Sequence, residues 1–135
     1  MTTVFADTSY YFALLGSRDE HHSAAREYTR HFDGSFVTTA WVLTELGNCL
    51  SRGPNRPLFL SLLEDLRSDP RVTVFPFSMD VFEEALDLYR SRADKDWSLT
   101  DCTSFVIMQE MGLSEALTTD RHFAQAGFNV LLGGT

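Results

Sequence analysis

Two apolar rhythms alternate along this chain. Thr3-Val-Phe-Ala6 is an unbroken apolar run of the kind that forms a buried strand, and it stops at Asp7-Thr8-Ser9 before Tyr10, Phe12, Ala13, Leu14 and Leu15 take up a helical spacing. Gly16 ends that helix. Asp19 is placed to cap a second helix from about Glu20 to His31, and Phe32-Asp33-Gly34 turns the chain into a second strand, Ser35–Thr39. Thr39 can cap a third helix, Trp41 to about Arg52, whose apolar stripe is Val42, Leu43, Leu46, Cys49 and Leu50. Gly53-Pro54-Asn55 breaks it, Pro57 suits the first turn of a fourth helix through about Arg67, and Arg71–Phe75 alternates as a third strand.

Ser78 or Asp80 caps a fifth helix that turns Val81, Phe82, Ala85, Leu86 and Tyr89 inward and ends near Arg92. A polar stretch beginning at Asp94 then gives way to Cys102, Phe105, Val106 and Met108, which puts Asp101 in the first turn of a sixth helix. Met111-Gly112-Leu113 stops it. Ala116–Thr119 reads as a fourth strand ending at Asp120, Arg121–Ala126 as a short helical turn, and Asn129–Leu132 as a final edge strand.

Strands alternating with helices imply an α/β fold: a three-layer α/β/α sandwich with a central, mainly parallel sheet, spanning residues 1–135 as one domain. Ligands in such folds bind at the carboxyl ends of the strands. Asp7 and Asp120 follow strands, Asp101 opens a helix, and Glu45 lies beside the apolar stripe of a helix that follows a strand. All four are therefore expected at one end of the sheet. Carboxylates packed together need a cation to stay ionised, and hard oxygen ligands select Mg²⁺ or Mn²⁺ over zinc. Each acid also has a local explanation: a turn residue at Asp7 and Asp120, a cap at Asp101, and for Glu45 an ion pair with Arg52 or another base.

Charge narrows the partners. With 19 acidic against 11 basic side chains, net −8, the chain lacks the basic balance of a protein that grips long nucleic acids over a broad surface, and its acidity suits a basic protein partner. Cys49 and Cys102 have no metal-type spacing and fall at apolar helical positions, as reduced core thiols of a cytoplasmic protein do. Met1–Leu15 has no basic n-region and carries Asp7 within its apolar stretch, unlike a signal peptide or membrane span.

Asp7-Thr8-Ser9, Glu45 in T-E-L, S-L-T-D-C-T-S-F around Asp101 and T-T-D-R-H-F around Asp120 together resemble the PIN domain, in particular the ribonuclease toxins of VapBC toxin–antitoxin systems. The resemblance runs through the whole chain in order. It implies a metal-dependent endoribonuclease acting on RNA phosphodiester bonds, with Asp7, Glu45, Asp101 and Asp120 as the acids that hold Mg²⁺ or Mn²⁺. It also implies a homodimer bound to a cognate VapB-like antitoxin that blocks the site. Ser9 and Thr119 resemble the small polar residues that line the family's site. Asp96 is a candidate outer acid, or part of a solvated loop with Ser98 as cap; Arg121 and His122 are candidates for substrate phosphate, or for packing and ion pairing. Arg52, Asn55 and Arg56 can touch an RNA backbone or simply be solvated, Trp41 and Trp97 can stack a base or join the core, and Tyr10, Tyr11 and Phe12 suit a partner contact or the core.

Other enzymes that place an aspartate after the first strand fit less well. A haloacid-dehalogenase-type phosphotransferase needs a second Asp where Ser9 stands and a catalytic lysine where the chain has only Lys95. A receiver-type phosphoacceptor needs paired acids after the first strand and a late lysine, and has neither here.

Overall fold

The computed structural model describes residues 2–133, and its strands are β1 (Thr3–Ala6), β2 (Ser35–Thr39), β3 (Val72–Phe75), β4 (Glu115–Leu117) and β5 (Asn129–Val130). All neighbouring strands are parallel, in the order β3-β2-β1-β4-β5. The order reverses between β1 and β4, where Phe5 pairs with Ala116 and Ala6 with Leu117. That is the topological switch point at which open α/β sheets leave a crevice.

The helices are α1 (Thr8–Leu15), α2 (His22–His31), α3 (Ala40–Cys49), α4 (Asn55–Ser68), α5 (Met79–Ser91), α6 (Leu99–Glu110) and α7 (Arg121–Gln125). Polar residues start several of them by accepting the free N–H groups of the first turn: Thr39 Oγ1 takes that of Val42 at 3.0 Å and Ser78 Oγ that of Val81 at 3.3 Å. Among the described residues no helix is long and apolar enough to cross a membrane.

The core lies on both faces of β1 and β4, whose apolar side chains are almost wholly buried. Phe123 of α7 packs against Phe5 of β1 at 6.2 Å and edge-on against Phe105 of α6 at 4.9 Å, and Trp97 meets Phe105 edge-on at 5.0 Å. These rings fasten α6 and α7 beside the switch point.

The structure corrects several expected boundaries. The first helix starts at Thr8 rather than Tyr10; the second starts at His22, because Asp19 uses Oδ1 to accept the His21 N–H at 2.8 Å and holds a turn instead of a cap. The fourth begins at Asn55, which puts Pro57 in its first turn as expected. β4 ends at Leu117, so Thr118 and Thr119 lead from the strand to Asp120, and β5 is only two residues long. Cys102 is buried as expected, but Cys49 is exposed at the last position of α3, where it lines an open depression one turn after Glu45 while the following Leu50 stays buried. Tyr10, Tyr11 and Trp97 belong to the core, whereas Phe12 is exposed.

Candidate metal centre

Asp7 follows β1 directly and its N–H bonds the Leu117 carbonyl of β4 at 3.1 Å, tying the two strand ends together. It is the N-cap of α1, and its side chain is 4 % exposed. Its Oδ2 collects the hydroxyls of Ser9 at 3.0 Å and Thr118 at 2.9 Å. Those hydroxyls are aimed from behind: Ser9 Oγ accepts the Thr119 N–H at 3.0 Å, and Thr118 Oγ1 accepts the Asp120 N–H at 2.9 Å. An ionised carboxylate only accepts, so both hydroxyls donate to it, and they lie 3.0 Å from each other.

Asp101 is the third residue of α6 and forms a capping box with Ser98. Ser98 Oγ accepts the Asp101 N–H at 3.0 Å, and Asp101 Oδ2 accepts the Ser98 N–H at 3.1 Å. Asp120 caps α7, its Oδ1 accepting the His122 N–H at 2.9 Å. The His122 ring returns over the same turn, with Nδ1 3.0 Å from Asp101 Oδ2 and 3.3 Å from Asp120 Oδ1. Both neighbours are carboxylate oxygens, so Nδ1 carries the hydrogen.

In each of the three aspartates one oxygen is held by the protein. The other, Oδ1 of Asp7, Oδ1 of Asp101 and Oδ2 of Asp120, accepts no side-chain hydrogen bond among the described residues. Asp7, Asp101 and Asp120 line one depression of about 260 Å³, joined by Glu45 and Cys49 from α3 and by Thr8, Ser9, Phe12, Asp19 and Thr119. Thr8 Oγ1 is buried there without a hydrogen-bond partner. Asp101, Asp120 and His122 each offer a ligand atom within 4.8 Å of the others.

Electrostatics carry the cost of this crowding. Burial pushes the Asp7 carboxyl from 3.8 up to about 6 against the pull of the Thr118 hydrogen bond, and nearby Asp101 adds to the rise. Asp101 is also raised, first by burial and further by Asp120, while the Ser98 N–H and His122 pull it down. A divalent cation among these oxygens would offset both shifts by favouring the ionised carboxylates. The donor set fits one: hard oxygens, fixed on one side and open on the other, beside an unpartnered buried hydroxyl.

The four predicted acids thus meet in one depression, with Ser9 and Thr119 at its wall. Asp96 is exposed in a separate depression of about 560 Å³ with Arg92 and Lys95, and Arg121 points to solvent. Sequence reasoning missed Thr118 and Thr8. Thr118 stands next to the chosen Thr119, and only the strand's early end at Leu117 shows which of the pair reaches Asp7 by its hydroxyl. The capping roles are real for Asp7, Asp101 and Asp120. They are the means by which the backbone presents those acids.

Comparison with known proteins identifies the family. The chain is 27% identical over 125 residues to the 23S rRNA-specific endonuclease VapC20 of Mycobacterium tuberculosis, covering 93% of this chain and 95% of the relative. The crystal structure of that toxin, described as Sarcin-Ricin loop cleaving, superposes with a TM-score of 0.85 at 26% identity, over 93% of this chain and 95% of the other. VapBC2 of Rickettsia felis, bound to a promoter DNA fragment, shares the fold at a TM-score of 0.66 and 12% identity, over 96% of each chain. The PIN domain family matches residues 4–129, and the chain belongs to that family.

Proposed function

We propose that this chain is a divalent-metal-dependent endoribonuclease and the toxin of a toxin–antitoxin pair. The observation that carries the reading is the convergence of Asp7, Asp101, Asp120 and Glu45 on one depression at the switch point of the sheet. Asp7, Asp101 and Asp120 are the residues that would hold Mg²⁺ or Mn²⁺ through their free oxygens. When bound, such an ion lowers the pKa of a coordinated water and offsets the charge that develops on a phosphodiester under in-line attack.

The chain's own part is placement and proton handling. Ser9 and Thr118 fix the Asp7 carboxylate, and the capping box fixes that of Asp101, so neither has to be ordered when substrate arrives. Glu45 makes no hydrogen bond among the described residues and faces the same depression, which leaves it to orient or deprotonate the attacking water.

Similarity to an enzyme named for 23S rRNA, across most of both chains, supports a structured ribosomal RNA as the target here. Relatives of this fold in VapBC complexes support a VapB-like antitoxin partner, and the cluster of acids suits a blocking Arg or Lys side chain. Exposed Leu60, Phe77 and Met79 support a homodimer.

The test is cleavage of purified ribosomes and bulk RNA with Mg²⁺, Mn²⁺ or EDTA, alongside Asp7→Asn and Asp101→Asn. Cleavage at discrete sites that needs metal and both acids is expected. Cleavage that persists in EDTA, or survives both substitutions in folded protein, sinks the reading.

A further inference from the structure

We propose that His122 is a positioning residue: its Nδ1–H holds Oδ2 of Asp101 while its backbone N–H holds Oδ1 of Asp120, so that the opposite oxygens of both carboxylates are presented together to a divalent ion. The proposal rests on the metal-site reading above and adds to it a residue that need not touch the ion.

The geometry supports a clamp. Asp101 and Asp120 stand on different helices, α6 and α7, and His122 is the side chain that reaches both, at 3.0 and 3.3 Å. Two carboxylates this close repel, and one residue bonded to both, by its ring to Asp101 and by its backbone N–H to Asp120, keeps their spacing in the absence of the ion. The ring cannot drift: the backbone N–H of His122 is held by Asp120, and the next residue, Phe123, is wholly buried against Phe5 and Phe105. Asp101 Oδ2 receives both the His122 ring N–H and the Ser98 N–H, and Asp120 Oδ1 receives the backbone N–H of His122 with the ring 3.3 Å away. The side of each carboxylate that faces away from the opening is therefore filled.

A donor at the δ position is what the clamp requires, which separates two conservative replacements. Asparagine carries an N–H near the place of Nδ1, whereas glutamine carries one near Nε2. A His122 that acted through Nε2, on the ion or on the substrate, would be rescued by glutamine and not by asparagine.

The experiment measures Mn²⁺ binding from the loss of the free-ion electron paramagnetic resonance signal, in wild type, His122→Ala, His122→Asn and His122→Gln, with metal-free melting curves to establish folding. Outer-shell partners of metal ligands are worth about 10–100-fold in affinity, so His122→Ala and His122→Gln are expected to weaken binding by that factor and His122→Asn to restore it to within about threefold of wild type. Alanine binding as tightly as wild type overturns the proposal, and so does rescue by glutamine but not asparagine. Should the alanine variant not fold, the asparagine and glutamine pair decides. Wild-type protein that binds no Mn²⁺ overturns the metal-site reading, and the clamp falls with it.

Discussion

Thr118 Oγ1 donates to Asp7 Oδ2 across 2.9 Å, joining residues 111 positions apart in the chain. Its second link, accepting the Asp120 N–H at 2.9 Å, makes this buried hydroxyl a bridge between two of the acids.

Replacing Thr118 by Val keeps the shape and removes the bridge. Asp7 then loses a hydrogen bond to its charged form, so its pKa rises further and the acid limb of the cleavage rate moves to higher pH. Stability falls by roughly 1–3 kcal/mol, because the Asp120 N–H is left without its acceptor. Thr118→Ser should keep both properties near wild type. A pH–rate profile of the three proteins beside their melting curves checks this.

Asp7 makes the metal-free protein sensitive to pH in the direction opposite to an ion-paired aspartate. Its folded pKa of about 6 exceeds the ordinary 3.8, so its stabilising contribution is complete below 3.8 and is lost as the pH rises through about 6. A rise of that size is worth roughly 3 kcal/mol at neutral pH. In EDTA at pH 7.5, Asp7→Asn should melt above wild type by roughly 5–10 °C, and the gap should close on acidification. Saturating Mn²⁺ should raise the wild-type midpoint and leave that of the variant nearly unmoved.

Three of the acids and the parallel sheet were legible because each left a boundary in the pattern, an apolar run that stops followed by an acid that starts a helix, whereas Glu45 was marked by its place beside the apolar stripe of α3. Asp7, Asp101 and Asp120 are all found in the first turn or cap that the pattern marked. What could not be read is which neighbour turns inward. Strands covered on both faces show little alternation, so nothing in Thr118-Thr119 distinguishes the hydroxyl that reaches Asp7 from the residue that contributes its N–H. Cys49 failed for a related reason: helical spacing puts it on the apolar stripe, but spacing cannot tell that the side of the stripe shared with Glu45 opens onto a depression.

That exposed thiol gives a direct test of the geometry. Iodoacetamide applied to native protein should alkylate Cys49 alone, since Cys102 is fully buried and its thiol is pushed up to about 11. Because Cys49 lines the acidic depression, the adduct should slow RNA cleavage, and Cys49→Ser should be insensitive. Peptide mass spectrometry locates the adduct.

Phe123→Ala removes the ring lodged between Phe5 and Phe105, a loss of about 3–5 kcal/mol. The helix carrying Asp120 and His122 loses its anchor, so Mn²⁺ affinity should fall in the folded fraction as well. Denaturant melts with and without Mn²⁺ separate the two effects.

The strand order has a consequence for synthesis. Because β4 pairs with β1 rather than with the strand before it, the wall of the depression needs residues from both ends of the chain. A ribosome that has made everything through α6 has already produced Asp7, Glu45 and Asp101, but it has made neither Thr118 to set Asp7 nor Asp120 and His122 to complete the cluster. This long-range pairing sets the timing of assembly: the acidic cluster cannot be completed until the last strands have left the exit tunnel.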